Sequence, residues 1–262
     1  MLVVKTAEVF LVESSDSLNR HRLAWNTVKR RSNFGSLDVT SPAHLSKSPI
    51  CVKKATMKLL IATHNPGKAQ EFQHLLAPLK IELCFPAELG LQLEVLEDGD
   101  TYVDNARKKA LTYARASGLL ALADDSGLEV DELDGAPGIR SARYAPGEDA
   151  DRTAALLTEL RGAPWEQRTA RFRCVVVIAP PVAETYSAVG VCEGLIAFEP
   201  AGAGGFGYDP IFYLPEYERT MAQLSQTVKN RISHRARAIE AALPALHRLL
   251  SQEQRDSNSN VD

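Results

Sequence analysis

The apolar positions change their period along the chain, and the changes divide it into alternating strands and helices. "LLIA" at 59–62 is a short unbroken apolar run and predicts a buried strand. From Lys68 onward Phe72, Leu75, Leu76 and Leu79 recur every three or four residues, which predicts an amphipathic helix. "IELCF" predicts a second short strand, and Thr101 to Ser117 a helix with Val103, Ala106, Ala110 and Ala114 on one face and Gly118 as its stop. "LLALADDSGLEV" at 119–130 reads as a strand that delivers Asp124 and Asp125 to a turn at Ser126-Gly127. "DRTAALLTELRG" predicts another helix ended by glycine, and "RFRCVVVIA" and Tyr186 to Phe198 predict two consecutive strands. Ser233 is placed to cap a last helix carrying Ile239, Ala242, Leu243, Leu246 and Leu250, with Pro244 expected to bend it. Helices interleaved with strands, then a run of strands, predict an α/β or mixed fold around a central sheet.

The periodic region spans 57–250 and forms one expected domain. Residues 1–56 are rich in serine and basic residues without a sustained period, and are expected to be an irregular extension. Glu8, Glu13 and Asp16 argue against an organelle transit peptide, and "MKLLIATHNPGK" from Met57 has the look of a natural start. Residues 251–262, "SQEQRDSNSNVD", have no apolar face and are expected to form a flexible tail. A net charge of −3 over 262 residues offers no reason to bind nucleic acid or an anionic membrane. Four widely separated cysteines, with no metal-type spacing, fit a reducing, cytoplasmic setting.

Four segments carry candidate chemistry. "THNPGK" at 63–68 lies in a strand-to-helix loop, where free amides and a helix N-terminus attract an anion and Lys68 adds a positive charge; it lacks the spacing of a Walker A loop. "PAGAGGFGYDPIF" at 200–212 crowds four glycines around Phe206, Tyr208 and Asp209, pairing a stacking face with an acceptor for a base edge. "KNRISHRARA" places Lys229, His234 and Arg235 near a helix start, a pattern that usually marks a solvated face but also suits donation to phosphate or carbonyl oxygen. The acidic run around Glu94, Glu97, Asp98, Asp100 and Asp104, with Asp124 and Asp125, offers hard oxygen ligands for Mg²⁺. Together they suggest a nucleoside polyphosphate bound with Mg²⁺.

In their order, "ATHNPGKAQE", "DNARKKA", "ADDSGLEVDELDGAPGIRSARYAPG", "EPAGAGGFGYDPIF" and "KNRISHRARA" resemble the motifs of the inosine/xanthosine triphosphate pyrophosphatase family, over essentially Met57 to Leu250. The resemblance implies a long central mixed sheet flanked by helices in two lobes, with the active site in the cleft between them, and a homodimer. It implies hydrolysis of aberrant purine nucleoside triphosphates to the monophosphate and pyrophosphate, with Mg²⁺ as cofactor. By the same resemblance Thr63, His64, Asn65, Pro66, Gly67 and Lys68 grip the triphosphate, Asp125 is the catalytic carboxylate and a metal ligand, and Glu97 is a second metal ligand. Ser126 contacts the substrate, and Phe206, Gly207, Tyr208, Asp209, Lys229, His234 and Arg235 form the base side of the pocket.

Two rival readings compete. The Asp-Ser-Gly at 125–127 also occurs in aspartic proteases, which need a second such carboxylate to share a proton, and the chain contains no second Asp-Thr/Ser-Gly. A regulatory nucleotide-binding module without turnover would keep the pocket. The adjacent carboxylates with Lys68 favour an enzyme over that reading.

Overall fold

The computed structural model describes residues 9–10 and 57–259. Most of the expectations for 1–56 therefore lie outside the described residues, apart from a two-residue strand, β1 (Val9–Phe10). The others are β2 (Lys58–Ile61), β3 (Glu82–Cys84), β4 (Leu120–Val130), β5 (Thr169–Ala179), β6 (Tyr186–Ile196), β7 (Phe212–Leu214) and β8 (Arg219–Thr220). They form a mixed sheet in the order β3-β2-β4-β5-β6-β7-β8, with β1 on β6. β2 runs parallel to β3 and β4, and all other pairings are antiparallel. The parallel part is made by two helical crossovers, α1 (Pro66–Leu76) and α2 (Tyr102–Ser117). The α/β fold with a long mixed sheet is the one expected, and the sheet remains open.

Each face of the β2-β4-β5 region is covered by the helix whose stripe matches it. Leu59, Ile61, Leu120, Leu122, Val176 and Ile178 meet Phe72 and Leu76 of α1 and Ile239, Ala242 and Leu246 of α5 (His234–Ser259). The alternate residues, Leu60, Ala121, Ala123, Val175 and Val177, meet Ala106, Ala110, Tyr113 and Ala114 of α2. A third cluster at the β6-β7 side gathers Leu128, Val130, Phe172, Ile196 and Phe212 with Leu156 of α3 (Asp149–Glu159).

β4 is the first departure from the sequence reading. Asp124 and Asp125 do not sit on a turn; they lie mid-strand, because β4 continues through Ser126-Gly127 and pairs with β5 without interruption from Ala121↔Ala179 to Val130↔Ala170. The second departure is at the C-terminus, where α5 runs beyond Leu250 to Ser259, through 251–259, which contain no glycine or proline to stop it. Pro244 lies inside this helix. A short helix, α4 (Gln226–Ile232), which the apolar pattern did not reveal, carries Lys229 separately from His234 and Arg235. Ser233 ends α4 and caps α5, its Oγ accepting from the Ala236 amide at 3.2 Å. Gly118 stops α2 as expected, in a left-handed conformation at φ 71°.

The N-terminus of α5 is seated on β6 by Gly190. A Cβ at that position would collide with the His234 carbonyl and the Ala238 amide, both backbone groups that cannot swing aside. Gly190→Ala is therefore expected to push the start of α5 off the sheet and to destabilise the fold by roughly 1–3 kcal/mol, as overpacking does. Denaturant unfolding measures the loss; unchanged stability would mean that α5 is not held at this contact.

Candidate active site

The period of a strand explains why two carboxylates stand side by side in sequence. Neighbours in β4 face opposite sides of the sheet, so Asp124 shares the α1/α5 face with Leu122, and Asp125 shares the α2 face with Ala123. One pair of residues thus reaches two different sets of partners.

On the α1/α5 side Asp124 is the end of a buried chain of alternating charges. Its Oδ2 accepts from Arg235 Nη2 at 2.8 Å and Nε at 3.2 Å, and lies 3.1 Å from Lys68 Nζ. Arg235 Nη1 also donates to Glu71, which lies 2.7 Å from Lys229 Nζ, and Lys229 lies 2.5 Å from Asp209. The series runs Asp209, Lys229, Glu71, Arg235, Asp124, Lys68. Burial presses Asp124 towards protonation, but Lys68 and Arg235 outweigh it and hold the carboxyl well below its ordinary range. Glu71 behaves likewise: burial is opposed and overcome by Arg235 and Lys229. Asp209 is instead pushed up by burial, despite Lys229. His234 stays neutral, because its burial and the positive charge of Arg235 both disfavour a second proton; its ring stacks on Phe172 with centroids 4.7 Å apart.

On the α2 side Asn105, Lys109 and Tyr113 form one column at i, i+4 and i+8. Asn105 Nδ2 donates to Asp125 Oδ2 at 3.0 Å, and the Ser126 amide donates to Oδ1 at 3.0 Å. Lys109 Nζ donates to the Asp124 carbonyl at 3.0 Å and lies 2.5 Å from Glu97. Tyr113 Oη meets His64 Nε2 at 2.6 Å and donates to the Leu93 carbonyl at 2.9 Å. Burial raises the Asp125 carboxyl above its usual value and Glu97 adds to this, while Asn105, Lys68 and Lys109 oppose it.

Between these sides lies a cavity of about 490 Å³, in the range of small-molecule sites. The structure brings Thr63, His64, Asn65, Lys68, Glu97, Asp125, Ser126, Phe206, Gly207, Tyr208, Asp209, Lys229, His234 and Arg235 to its wall. Pro66 and Gly67 fall outside the lining. Pro66 is the first residue of α1, whose cap is Asn65, its Oδ1 accepting from the Lys68 amide at 3.0 Å. Gly67 lies under the Phe206 ring, and a Cβ there would fall 2.5 Å from a ring carbon, so glycine lets the aromatic rest on the start of α1. The same ring has Lys229 Nζ 5.0 Å from its centroid.

Sequence reasoning overlooked Glu71 as a site residue. Its signal was present: it stands three residues after Lys68, hence on the same helical face. Asn105, Lys109 and Tyr113 were signalled by the i, i+4 column in the stretch from "DNARKKA", and Arg143 and Arg152, also in the wall, had no distinguishing spacing. Lys229, His234 and Arg235 turned out to be buried rather than solvated, with three carboxylates meeting Lys229 and Arg235.

Fold and site together define an α/β protein with a charged cleft suited to a polyanionic ligand bearing a flat ring. The chain belongs to the Ham1 family, whose model matches residues 59–245. It is 52% identical over 195 residues to a dITP/XTP pyrophosphatase of Desulforamulus reducens, covering 74% of this chain and 97% of the relative. To a dITP/XTP pyrophosphatase of Bacillus subtilis it is 48% identical over 184 residues, covering 69% and 92%. Among solved structures, a HAM1 protein from Coxiella burnetii superposes with a TM-score of 0.67 at 41% identity, covering 73% of this chain and 99% of that one.

Because Glu71 answers both Lys229 and Arg235, Glu71→Gln leaves two buried cations short of one carboxylate. The expected cost is about 3–5 kcal/mol, that of breaking a buried pair. Urea unfolding of the variant tests this, and a loss below about 1 kcal/mol would show that the cations find other partners.

Proposed function

We propose that this protein hydrolyses non-standard purine nucleoside triphosphates, those of inosine, deoxyinosine and xanthosine, to the monophosphate and pyrophosphate. The observation that carries this reading is one cavity that joins the held carboxylate of Asp125, with Lys68 and Lys109 beside it, to the aromatic floor at Phe206. The names of the relatives, dITP/XTP pyrophosphatase, agree with it.

The residues present suit Mg²⁺. Asp125 and Glu97 line the same cavity, Glu97 with Lys109 Nζ 2.5 Å away, and these two carboxylates would hold the ion, with water and phosphate oxygens supplying the rest, as Mg²⁺ prefers. Burial raises Asp125 more than Asn105, Lys68 and Lys109 lower it, and a nearby cation would offset the remainder. When bound, Mg²⁺ supplies positive charge to the phosphate oxygens and helps order the reacting groups.

The chain's own groups account for the rest. Asn105 and the Ser126 amide fix the Asp125 carboxylate, which takes a proton from water as the water oxygen bonds to the α-phosphorus and the α–β anhydride bond breaks, releasing pyrophosphate. Lys68 and Lys109 offset the charge that develops on the phosphates. Ser126 Oγ accepts from Arg235 Nη2 at 3.0 Å and so keeps its own proton for a substrate oxygen. Arg235 spends four of its five N–H donors on Asp124, Glu71 and Ser126, which leaves one on Nη1. Arg235 lines the cavity, and we assign its remaining donor to the 6-oxo group of hypoxanthine or xanthine; the 6-amino group of adenine would leave it unpaired. The setting is cytoplasmic and the enzyme a homodimer.

Incubation with Mg²⁺ and inosine, xanthosine or adenosine triphosphate is expected to release pyrophosphate from the first two and little from the third. Release of orthophosphate alone, or equal rates on all three, overturns the reading. Asp125→Asn is expected to lower kcat by at least about 10²-fold, the usual scale for a general base, with nucleotide binding retained. Near-normal turnover would remove Asp125 from this role.

The pH profile carries a second expectation. The base works ionised, so activity is present above its pKa and lost as pH falls through it; kcat/KM reports the free enzyme, in which burial without a bound cation raises Asp125, and with Mg²⁺ brought in by the substrate its acid limb is expected above the roughly 3.9 of an ordinary aspartate. Asn105 donates to the ionised form and lowers that pKa; Asn105→Ala is therefore expected to move the limb to higher pH. A shift to lower pH would contradict the assignment.

A further inference from the structure

Phe206 stands between two glycines with left-handed backbones, Gly205 at φ 74° and Gly207 at φ 62°. At Gly207 a Cβ would meet nothing within 4 Å, so that glycine serves the course of the backbone and not a close packing. Glycine on both sides leaves the aromatic many conformations, and groups outside those residues have to select one. Two carboxylates do so at consecutive amides. Asp209 Oδ2 accepts from the Phe206 amide at 2.9 Å, and Asp149 Oδ2 accepts from the Gly207 amide at 2.6 Å. Asp209 belongs to the same loop, whereas Asp149 is the first residue of α3, 58 residues away in the chain. The other Asp149 oxygen, Oδ1, accepts from Arg152 Nη2 at 2.6 Å, and Arg152 Nη1 donates to the Gly147 carbonyl at 2.7 Å, just before the helix. Burial presses the Asp149 carboxyl towards protonation, but Arg152 and the Gly207 amide outweigh it and keep it ionised.

We propose that Asp149 is a positioning residue for the ring end of the cleft: it acts through the Gly207 amide to hold Phe206 in the orientation that stacks on a purine, Arg152 braces its carboxylate, and it touches no ligand itself. The proposal deepens the reading of the cleft as a purine nucleotide site and rests on it. Both Asp149 oxygens are engaged within the protein, although the residue lies at the cavity wall. The bond to Gly207 joins a charged acceptor to a backbone donor, which belongs to the stronger class of hydrogen bond. Tyr208, the next residue along, donates its hydroxyl to the Ser141 carbonyl at 2.9 Å and so ties the loop a second time to the stretch that leads into α3. The aromatic wall is thereby fastened to α3 as well as resting on Gly67 of α1.

Calorimetry on the full chain, with the melting temperature as a check on folding, tests this with inosine monophosphate and inorganic pyrophosphate as separate probes. Asp149→Ala is expected to weaken inosine monophosphate about fivefold, the scale of one hydrogen bond, without weakening pyrophosphate. Phe206→Ala is expected to weaken inosine monophosphate at least as much. Because Asp149 works through Phe206, the double variant is expected to bind no more weakly than Phe206→Ala alone. Exchange of the Gly207 amide, followed by ¹H–¹⁵N NMR, is expected to quicken in Asp149→Ala and to stay slow in Asp149→Asn, which keeps an oxygen at that place. Equal weakening of both probes, losses that add in the double variant, or Gly207 exchange in Asp149→Ala unchanged from wild type would each overturn the proposal. Should the alanine variant not fold, Asp149→Ser, whose hydroxyl is too short to reach Gly207, takes its place under the same expectations. Inosine monophosphate binding untouched by Phe206→Ala would bring down the reading of the ring end, and the proposal with it. A loss in Phe206→Ala with none in Asp149→Ala would bring down the role of Asp149 alone.

Discussion

Arg235 holds the structure's charged interior together. Its guanidinium is fully buried and bonds Asp124 from β4, Glu71 from α1 and Ser126 at the cavity wall, so three elements meet on one side chain. A buried cation is costly unless each direction in which it presents an N–H meets an acceptor, and a buried carboxylate is costly for the converse reason. Neither Asp124 nor Glu71 is tolerable in this layer without Arg235, and Arg235 is not tolerable without both. The fit is mutual because the charges alternate outward in each direction, to Lys68 at the phosphate loop and to Lys229 and Asp209 at the aromatic loop. Buried ion pairs often stabilise no more than apolar residues of similar volume; what the series does here is fix the position of the charged groups that reach the cavity.

This arrangement shows what the sequence made legible and where reading stopped. Strands and helices with an unbroken period, β2, β5, β6 and α2, were recoverable because burial on one or both faces leaves a repeat that composition cannot hide. Asp124 and Asp125 were recognisable as unusual but were assigned to a turn, since Asp, Ser and Gly in a row are ordinary turn residues. What keeps them in the strand is the long pairing with β5, a partner some fifty residues away whose register no local pattern encodes. The same limit hid Glu71. Its helical relation to Lys68 was visible, but its answering cations lie 158 and 164 residues further along.

The two faces of β4 divide the labour that one face could not perform. Asp124 is held strongly ionised among three cations and has no direct line to the cavity, whereas Asp125 keeps a raised proton affinity and opens onto it. Had both carboxylates shared a face, their charges would have raised each other's pKa, and the Arg235 guanidinium that helps hold Asp124 ionised would have acted on Asp125 as well. The alternation of a strand separates them by a sheet's thickness of backbone while leaving them one residue apart. A carboxylate locked into a buried charge series and one that faces a cavity can then be adjacent in sequence.

The aromatic floor depends on this same economy of contact. Phe206 rests on Gly67, at the start of α1, and lies above Lys229, so the ring is in touch with both the N-terminus of α1 and the charge series. The Phe206 end and the Lys68 end of the cleft are therefore not independent walls. A displacement of α1 moves Lys68 and the seat of Phe206 together, because Gly67 and Lys68 are consecutive residues of one helical turn. The aromatic wall at Phe206 and the Lys68 ammonium are therefore tied to a single rigid element, and neither can slide along the cleft without the other.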